Sequence, residues 1–137
     1  MKILNQKPQN YSQIVEALGD VSKYNPVFCY GDTIYNPFGR EITPDVEHHE
    51  SIHSRQQAQF TSPDDWYSRY LTDKKFRYEM ELEAYSEQYS FGKEIVKKNK
   101  LTDAFLDSLA SELCGEAYGL GLTFGEARSK IRNFARE

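Results

Sequence analysis

The architecture of the chain follows from residues 43–57, which read TPDVEHHESIHSRQQ. Thr43, Pro44 and Asp45 place a capping hydroxyl, a proline at the first helical position and an acid in the first turn. This combination is typical of a helix N-terminus. The sequence therefore predicts a helix from about residue 44 to about residue 59.

The predicted helix carries all three histidines of the chain, and two of them belong to the pattern His49-Glu50-Ser51-Ile52-His53. Residues four apart share one face of a helix, so His49 and His53 can direct their imidazoles at one metal ion. Glu50 then leans toward a water molecule bound to that ion. His48 lies well away from this face, which favours a position at the surface or behind the metal ligands over metal binding. The spacing therefore predicts a metal site, with zinc as the expected ion.

A third ligand is expected downstream, because catalytic zinc sites usually have three protein ligands and a water molecule. Glu81 lies near the centre of a broad apolar arc on a predicted later helix, whereas Glu79 and Glu83 lie on its polar side. Burial of a carboxylate without a partner is costly, so Glu81 must bind a metal, pair with a cation or be protonated. An internal ion pair with Arg55 or Arg69 is the alternative to metal binding.

The remaining segments predict a mostly helical α+β fold, with a small β-hairpin before the His-Glu-x-x-His helix and further helices after it. The predicted elements are a short helix from Tyr11 to Leu18 capped by Gly19, a hairpin of Val27–Tyr30 and Thr33–Tyr35, a helix from Ser62 through Leu71, a long helix from about Asp73 to Lys98 ended by Asn99, a helix capped by Thr102, and a last helix opened by a capping box at Thr123–Glu126. The apolar arc of the long helix includes Phe76, Met80, Ala84, Tyr85, Tyr89, Phe91 and Ile95, and Ser86 falls on its polar side.

Length and composition predict one globular domain over residues 1–137. The aromatic content of 14% is too high for a disordered chain. The net charge is −4, from 17 Lys and Arg against 21 Asp and Glu, and no basic block is present, which argues against nucleic acid as a partner. The densest basic run, Lys97, Lys98 and Lys100, is predicted to be a solvated helix end.

The sequence also predicts a cytoplasmic protein without a membrane partner. No segment approaches the ~20 apolar residues of a membrane span, and the N-terminus lacks the apolar run of a signal peptide. Cys29 and Cys114 lie far apart, which favours two reduced core residues over a disulfide framework.

The His-Glu-x-x-His pattern, followed on a later helix by Glu81-x-Glu83-Ala84-Tyr85, resembles the gluzincin zinc metallopeptidases. It is most similar to the small minigluzincin-type and the phage or bacterial peptidases, over roughly residues 27–90. The resemblance implies a minimal zincin-like core with Glu81 as the third ligand. Tyr85 stands where many relatives have an aspartate that orients a ligand histidine. Its hydroxyl, Gln88 or a backbone carbonyl would have to take that role.

The resemblance implies hydrolysis of a peptide or protein substrate by an activated water molecule. Zinc held by His49, His53 and Glu81 would activate the water, and Glu50 would act as the general base. The oxyanion donor is not specified by the sequence. Its candidates are Tyr67, Arg69, Tyr70 and Tyr85, each of which can equally be a packing or surface residue.

The strand that contains Ile34 and Tyr35 is a candidate for substrate binding, because an extended peptide can pair with an open strand edge. A plain core strand is the alternative. A second interpretation of the whole chain is a zinc-binding or metal-free structural or regulatory protein, of a phage type, that keeps the scaffold without turnover. The intact Glu50 favours the enzyme, because a structural zinc site has no use for this carboxylate.

Overall fold

The computed structural model describes residues 1–97 and 101–134, and this part of the chain forms six α-helices, one short 3-10 helix and three strands. In chain order the elements are β1 (Lys2–Leu4), α1 (Tyr11–Leu18), the 3-10 helix (Ser22–Tyr24), β2 (Phe28–Tyr30), β3 (Thr33–Tyr35), α2 (Pro44–Gln57), α3 (Pro63–Thr72), α4 (Lys74–Val96), α5 (Thr102–Leu113) and α6 (Phe124–Phe134). The fold is α+β and mostly helical, as the sequence predicts.

The three strands of the described residues form one small sheet in the order β1-β3-β2. β2 and β3 form the predicted antiparallel hairpin, with Cys29 opposite Ile34, and β1 pairs in parallel with the other edge of β3. Because both edges of β3 are hydrogen-bonded, the prediction that the strand of Ile34 and Tyr35 pairs with a substrate is wrong. Ile34 is fully buried, so the core-strand alternative describes this element.

Side-chain caps fix the starts of three helices. At α3, Ser62 Oγ accepts a hydrogen bond from the amide three residues on, at 3.2 Å, and Asp73 does the same at α4, at 3.1 Å. The capping box at the start of α6 is confirmed, since Thr123 and Glu126 each accept from the other's amide at 3.1 Å. These caps satisfy amides that have no partner within the helix.

Two predicted helix starts differ in detail. Thr43 occupies the cap position of α2, but its hydroxyl donates to Asp45 Oδ1 at 2.7 Å and does not accept from the backbone. Thr102 is not a cap, because it is already helical and the carbonyl of Leu101 accepts the first helical bond, from Phe105, at 2.9 Å. The aspartate two residues after Thr43 competes for its hydroxyl, which the capping pattern does not take into account.

The long helix α4 buries Glu81, Phe76, Ala84, Tyr85 and Tyr89, as their positions in the apolar arc predict, but the C-terminal part of the arc is misplaced. Phe91 and Ile95 are 41% and 56% exposed, whereas Ser86, predicted on the polar side, is buried. The buried face instead includes Gly92, which packs against α5 and the start of α2 and carries no hydropathy signal. The predicted end of the helix, and with it Lys98, Asn99 and Lys100, lies outside the described residues.

Two clusters of buried side chains form the core, and α4 contributes to both. One consists of Tyr85 and Tyr89 with residues of α5 and α6, and the other of Trp66, Tyr67, Tyr70, Phe76 and Ile14. Helix α2 packs on α4, so that His49 contacts Tyr85 of the first cluster and His53 contacts Trp66 of the second. The polar residues of α2 therefore lie between two aromatic walls.

The described cysteines form no disulfide, as the sequence predicts. Cys29 is buried and Cys114 is half-buried, and both are free thiols. Among residues 1–97 and 101–134, no helix has both the length and the apolar character needed to cross a membrane.

Candidate metal centre

Helix α2 presents His49, Glu50 and His53 on its buried face. Their candidate ligand atoms all lie within 4.8 Å of one another, and all three side chains are buried. The two imidazole rings meet nearly edge to face, with centroids 4.9 Å apart, as the spacing of four residues predicts. A buried cluster of this composition can hold a metal ion.

Helix α4 brings Glu81 against both histidines. Glu81 Oε1 lies 3.3 Å from Nε2 of His49 and 3.3 Å from Nε2 of His53, and the residue is 3% exposed. Its other oxygen, Oε2, accepts a hydrogen bond from the Tyr70 hydroxyl at 2.6 Å. The helical pattern that singled out Glu81 over Glu79 and Glu83 therefore identified the carboxylate that contacts the histidines.

The alternative ion pair of Glu81 with an arginine is wrong. Arg55 is exposed on α2, and Arg69 is exposed and lies 3.8 Å from Asp73. Neither guanidinium is among the groups that contact Glu81, whose described partners are His49, His53 and Tyr70.

Two glutamines orient the histidine rings. Gln88 Oε1 lies 2.9 Å from His49 Nδ1, and Gln56 Oε1 lies 2.8 Å from His53 Nδ1. The amide nitrogens of both glutamines donate elsewhere, Gln88 to Asp45 and Gln56 to Glu83 and the Met80 carbonyl, so the oxygens face the rings. An oxygen in that position accepts from Nδ1–H. In its neutral form, each imidazole would therefore carry its hydrogen on Nδ1 and direct an unprotonated Nε2 at Glu81.

The donor set fits a tetrahedral metal ion. With Nδ1 protonated on both rings, two Nε2 lone pairs and one carboxylate oxygen converge, and three acceptors at this range repel one another unless a cation lies among them. Ligand atoms about 2.0–2.1 Å from a tetrahedral zinc ion lie about 3.3 Å apart, which is the separation between Glu81 Oε1 and each Nε2. These two separations therefore suit a small tetrahedral metal ion.

The pKa values of His53 and Glu81 also indicate that positive charge stabilises this group of residues. Burial lowers the pKa of His53, but the adjacent Glu81 carboxylate outweighs this and raises that pKa to about 9. Burial raises the pKa of Glu81, and the two histidines reverse this and hold it well below the ordinary range. Without a metal, the cluster binds a proton on an imidazole in its place.

Glu50 lies beside the histidines with an unused oxygen. Its Oε2 is buried and has no hydrogen-bond partner among the described residues. Burial is the main cause that raises the pKa of Glu50, while the nearby histidines lower it. A buried carboxylate oxygen without a protein partner requires a proton or a water molecule from the site itself.

The four candidates for an oxyanion donor have different surroundings. The hydroxyls of Tyr67 and Tyr70 already donate, to the Cys29 carbonyl at 2.7 Å and to Glu81, and Arg69 is exposed away from the site. Tyr85 packs edge-on against the His49 ring, and its hydroxyl lies 2.6 Å from the hydroxyl of Tyr118. Only one of these two hydroxyls can donate to the other, so one hydrogen of the pair is free.

Three site residues were not predicted from the sequence. Tyr118 follows α5, and its carbonyl accepts from the buried Arg77, which also donates to the Tyr70 carbonyl. Arg40 precedes α2 and pairs with Glu112 at 2.8 Å. Tyr118 and Arg40 lie in irregular segments, where no periodicity shows which side chains face inward, while Arg77 belongs to the polar pattern of α4.

His48 lies outside the cluster, as predicted. Its ring stacks on Phe91 with centroids 4.6 Å apart, and its Nε2 lies 3.4 Å from Glu87.

No protein-family model, curated protein or solved structure matches the chain. The comparisons therefore assign no family.

Proposed function

We propose that the chain is a zinc-dependent metallopeptidase of gluzincin type, with His49, His53 and Glu81 as metal ligands and Glu50 as the general base. One observation carries the proposal. A single buried oxygen of Glu81 lies 3.3 Å from both Nε2 atoms, at the spacing of tetrahedral zinc ligands. The unpartnered Oε2 of Glu50 next to these atoms supports a role in chemistry beyond metal binding.

Each protein group has a distinct part in amide hydrolysis. Zinc in such a site supplies Lewis-acid activation of a water molecule and of the substrate carbonyl. Glu50 removes the proton of the attacking water and delivers it to the leaving amine. The free hydroxyl hydrogen of the Tyr85–Tyr118 pair donates to the carbonyl oxygen as negative charge develops on it, and burial raises the pKa of both tyrosines well above 10, so both stay protonated.

The test separates metal binding from turnover at Glu50. Glu50→Gln keeps the size of the side chain but cannot accept a proton, so we expect one zinc per chain, by elemental analysis, and a loss of peptidase activity of ~10² or more. Activity is measured on a broad peptide library, with protein purified without a histidine tag.

Two further variants check the ligands. His49→Ala combined with His53→Ala is expected to abolish stoichiometric zinc, whereas Glu79→Ala, which removes an exposed carboxylate of α4, is expected to retain it. Zinc retained by the double variant would contradict the site. An inactive wild type with confirmed zinc would contradict the enzyme.

A structural or regulatory role without turnover is the second candidate, and one observation favours it. Tyr70 and a protonated His53 satisfy Glu81 in the absence of a metal, so the fold can keep its buried carboxylate without zinc. This candidate gains support if wild-type protein binds no zinc or binds zinc without hydrolysing any peptide.

A further inference from the structure

The four residues of the candidate metal site, His49, Glu50, His53 and Glu81, line a cavity of about 420 Å³ with an apolar half. This volume lies toward the lower end of ligand pockets, which span about 300–1,000 Å³, so it suits a short segment better than a long chain. The apolar half is lined by Ile14, Leu18, Val21, Val27 and Phe28.

The hairpin next to the cavity offers a peptide little backbone for pairing. β3 is paired on both edges, and the carbonyl of Cys29 in β2 already accepts from Gln57 Nε2 at 2.8 Å and from the Tyr67 hydroxyl at 2.7 Å. The amide of Gly31 donates to Gln57 Oε1 at 2.7 Å. A substrate must therefore be recognised mainly by its side chain and end groups.

Two side-chain contacts join the N-terminal part of the chain to the end of α5 and the residues that follow it. Arg40 Nη2 lies 2.8 Å from Glu112 Oε1, and the Tyr24 hydroxyl donates to Glu116 Oε2 at 3.2 Å. Tyr24, Arg40 and Glu112 all line the cavity. A peptide that extended past these residues would have to break both contacts. This side of the cavity therefore favours the end of a peptide over its middle.

Arg40 is the one lysine or arginine among the lining residues, all of which lie in the described part of the chain. Its backbone is fixed from both sides by the buried Asn36, which accepts from the Arg40 amide at 3.0 Å and donates to its carbonyl at 2.8 Å. Glu112 contacts only Nη2, which leaves other N–H groups without a partner among the described residues. A guanidinium with free donors recognises a carboxylate in preference to a neutral amide.

We propose that Arg40 binds the C-terminal carboxylate of a peptide whose last side chain is large and apolar and fills the apolar half of the cavity. The inference rests on the proposed function, and it makes the enzyme a carboxypeptidase. Water adds its hydroxyl to the scissile carbonyl carbon, the carbon–nitrogen bond breaks, and the remaining proton goes to the departing nitrogen. The products are a shortened peptide and a free C-terminal fragment.

Binding is measured by titration calorimetry on the full-length, zinc-loaded Glu50→Gln protein, in which turnover does not interfere. The probes are two N-acetylated pentapeptides of one sequence ending in Phe, one with a free carboxylate and one with a C-terminal amide. We expect the free acid to bind about tenfold to hundredfold more tightly, as for a hydrogen bond to a charged group. Equal affinities, or no binding of either peptide, would overturn the proposal.

Substitutions at Arg40 test whether this residue causes the preference for the free acid over the amide. With Arg40→Gln added, the ratio of the two affinities is expected to fall to about one, and with Arg40→Lys, which keeps the charge, to an intermediate value. Arg128→Gln is the matched control, because Arg128 is also ion-paired, with Asp107 at 2.6 Å, but does not line the cavity. A preference that survives Arg40→Gln would overturn the assignment to Arg40.

Hydrolysis by the wild type distinguishes this inference from the proposed function. Cleavage of both peptides at equal rates supports a peptidase and overturns the carboxylate role of Arg40. An acid preference in binding without release of a C-terminal fragment by the wild type overturns the peptidase and leaves the binding site of Arg40 in place.

Discussion

Among single residues, Gln56 and Gln88 control how the two histidines are presented. An imidazole can carry its proton on either nitrogen, and only the Nδ1–H form leaves Nε2 free for a metal. The glutamine oxygens at 2.8 and 2.9 Å from Nδ1 select that form, and their own nitrogens are held by other acceptors. A metal ion bound by His49 and His53 would therefore meet two rings that are already oriented.

Gln88→Ala is expected to weaken zinc binding about 10- to 100-fold, since it removes the acceptor that holds the ring of His49. Competitive titration against a zinc indicator measures the affinity. Gln57→Ala is the control, because Gln57 is as deeply buried but holds the hairpin through Cys29 and Gly31, so it is expected to lower the melting temperature with zinc affinity unchanged. Equal losses of affinity in the two variants would contradict the orienting role.

Tyr118→Phe is expected to lower kcat about 10- to 100-fold with zinc content unchanged, because it removes a hydroxyl from the pair that faces the site. Steady-state kinetics on a cleaved library peptide measure the effect. Tyr67→Phe is the matched control, since the Tyr67 hydroxyl donates to the Cys29 carbonyl and has no hydrogen left for a substrate. Wild-type kcat in Tyr118→Phe would show that the Tyr118 hydroxyl is not the donor.

Helical period explains which site residues could be found in the sequence. His49 and His53 follow from a spacing of four, and Glu81 follows from an acid in the middle of an apolar face. Gln88 was one of three alternatives for orienting a ligand histidine, and its Oε1 is the acceptor that lies 2.9 Å from His49 Nδ1. Tyr118 could not be found in this way, because it lies in an irregular segment whose path depends on tertiary contacts.

Among the glycines of the described helices, Gly92 of α4 is the one with the closest neighbours. A Cβ on Gly92 would lie 2.5 and 2.7 Å from ring carbons of Phe105 and 3.3 Å from Cβ of Asp45. The glycine therefore permits the close approach of α5 and of the first turn of α2 to α4. The same turn of α2 carries Asp45, which anchors Gln88.

Gly92→Ala is expected to destabilise the fold by about 1–3 kcal/mol, because the Phe105 ring has to move. Gly125→Ala is the matched control in α6, where an added Cβ meets nothing within 4 Å, and it is expected to stabilise by about 0.5–1 kcal/mol. Urea denaturation of both variants measures the difference. A neutral Gly92→Ala would show that Phe105 moves aside freely.

The elements that could be predicted are those with a local signal. The start of α3 is marked by the cap at Ser62, and the start of α6 by the cap at Thr123. The hairpin of β2 and β3 is marked by the turn at residues 31–32. β1 has only three residues, Lys2–Leu4, and exists as a strand because β3 pairs with it, so no alternation reveals it. Phe91 and Ile95 were misplaced for the same reason, since the face of α4 that packs is chosen by its neighbours.

For the molecule as a whole, the candidate metal site brings together residues of α2 and α4, two helices that are separated in the sequence by α3. His49 and His53 belong to α2 and Glu81 to α4, and the two aromatic core clusters meet the site from either side. An ion bound by these three residues would link α2 to α4 directly. Its binding free energy is then added to the free energy of unfolding, because the site does not exist in the unfolded chain.

Chelation is therefore expected to lower the melting temperature of wild-type protein. At free zinc a thousandfold above Kd, the ion contributes about 4 kcal/mol, or roughly 10 °C for a chain of this size. Glu81→Gln is the matched variant, because its neutral amide needs no countercharge between the histidines and binds zinc poorly. Thermal melts of both proteins with and without chelator measure the two shifts, and the wild-type shift is expected to be the larger. Equal shifts, or no shift in wild type, would mean that Tyr70 and the histidines alone hold Glu81 and that it is not the third ligand.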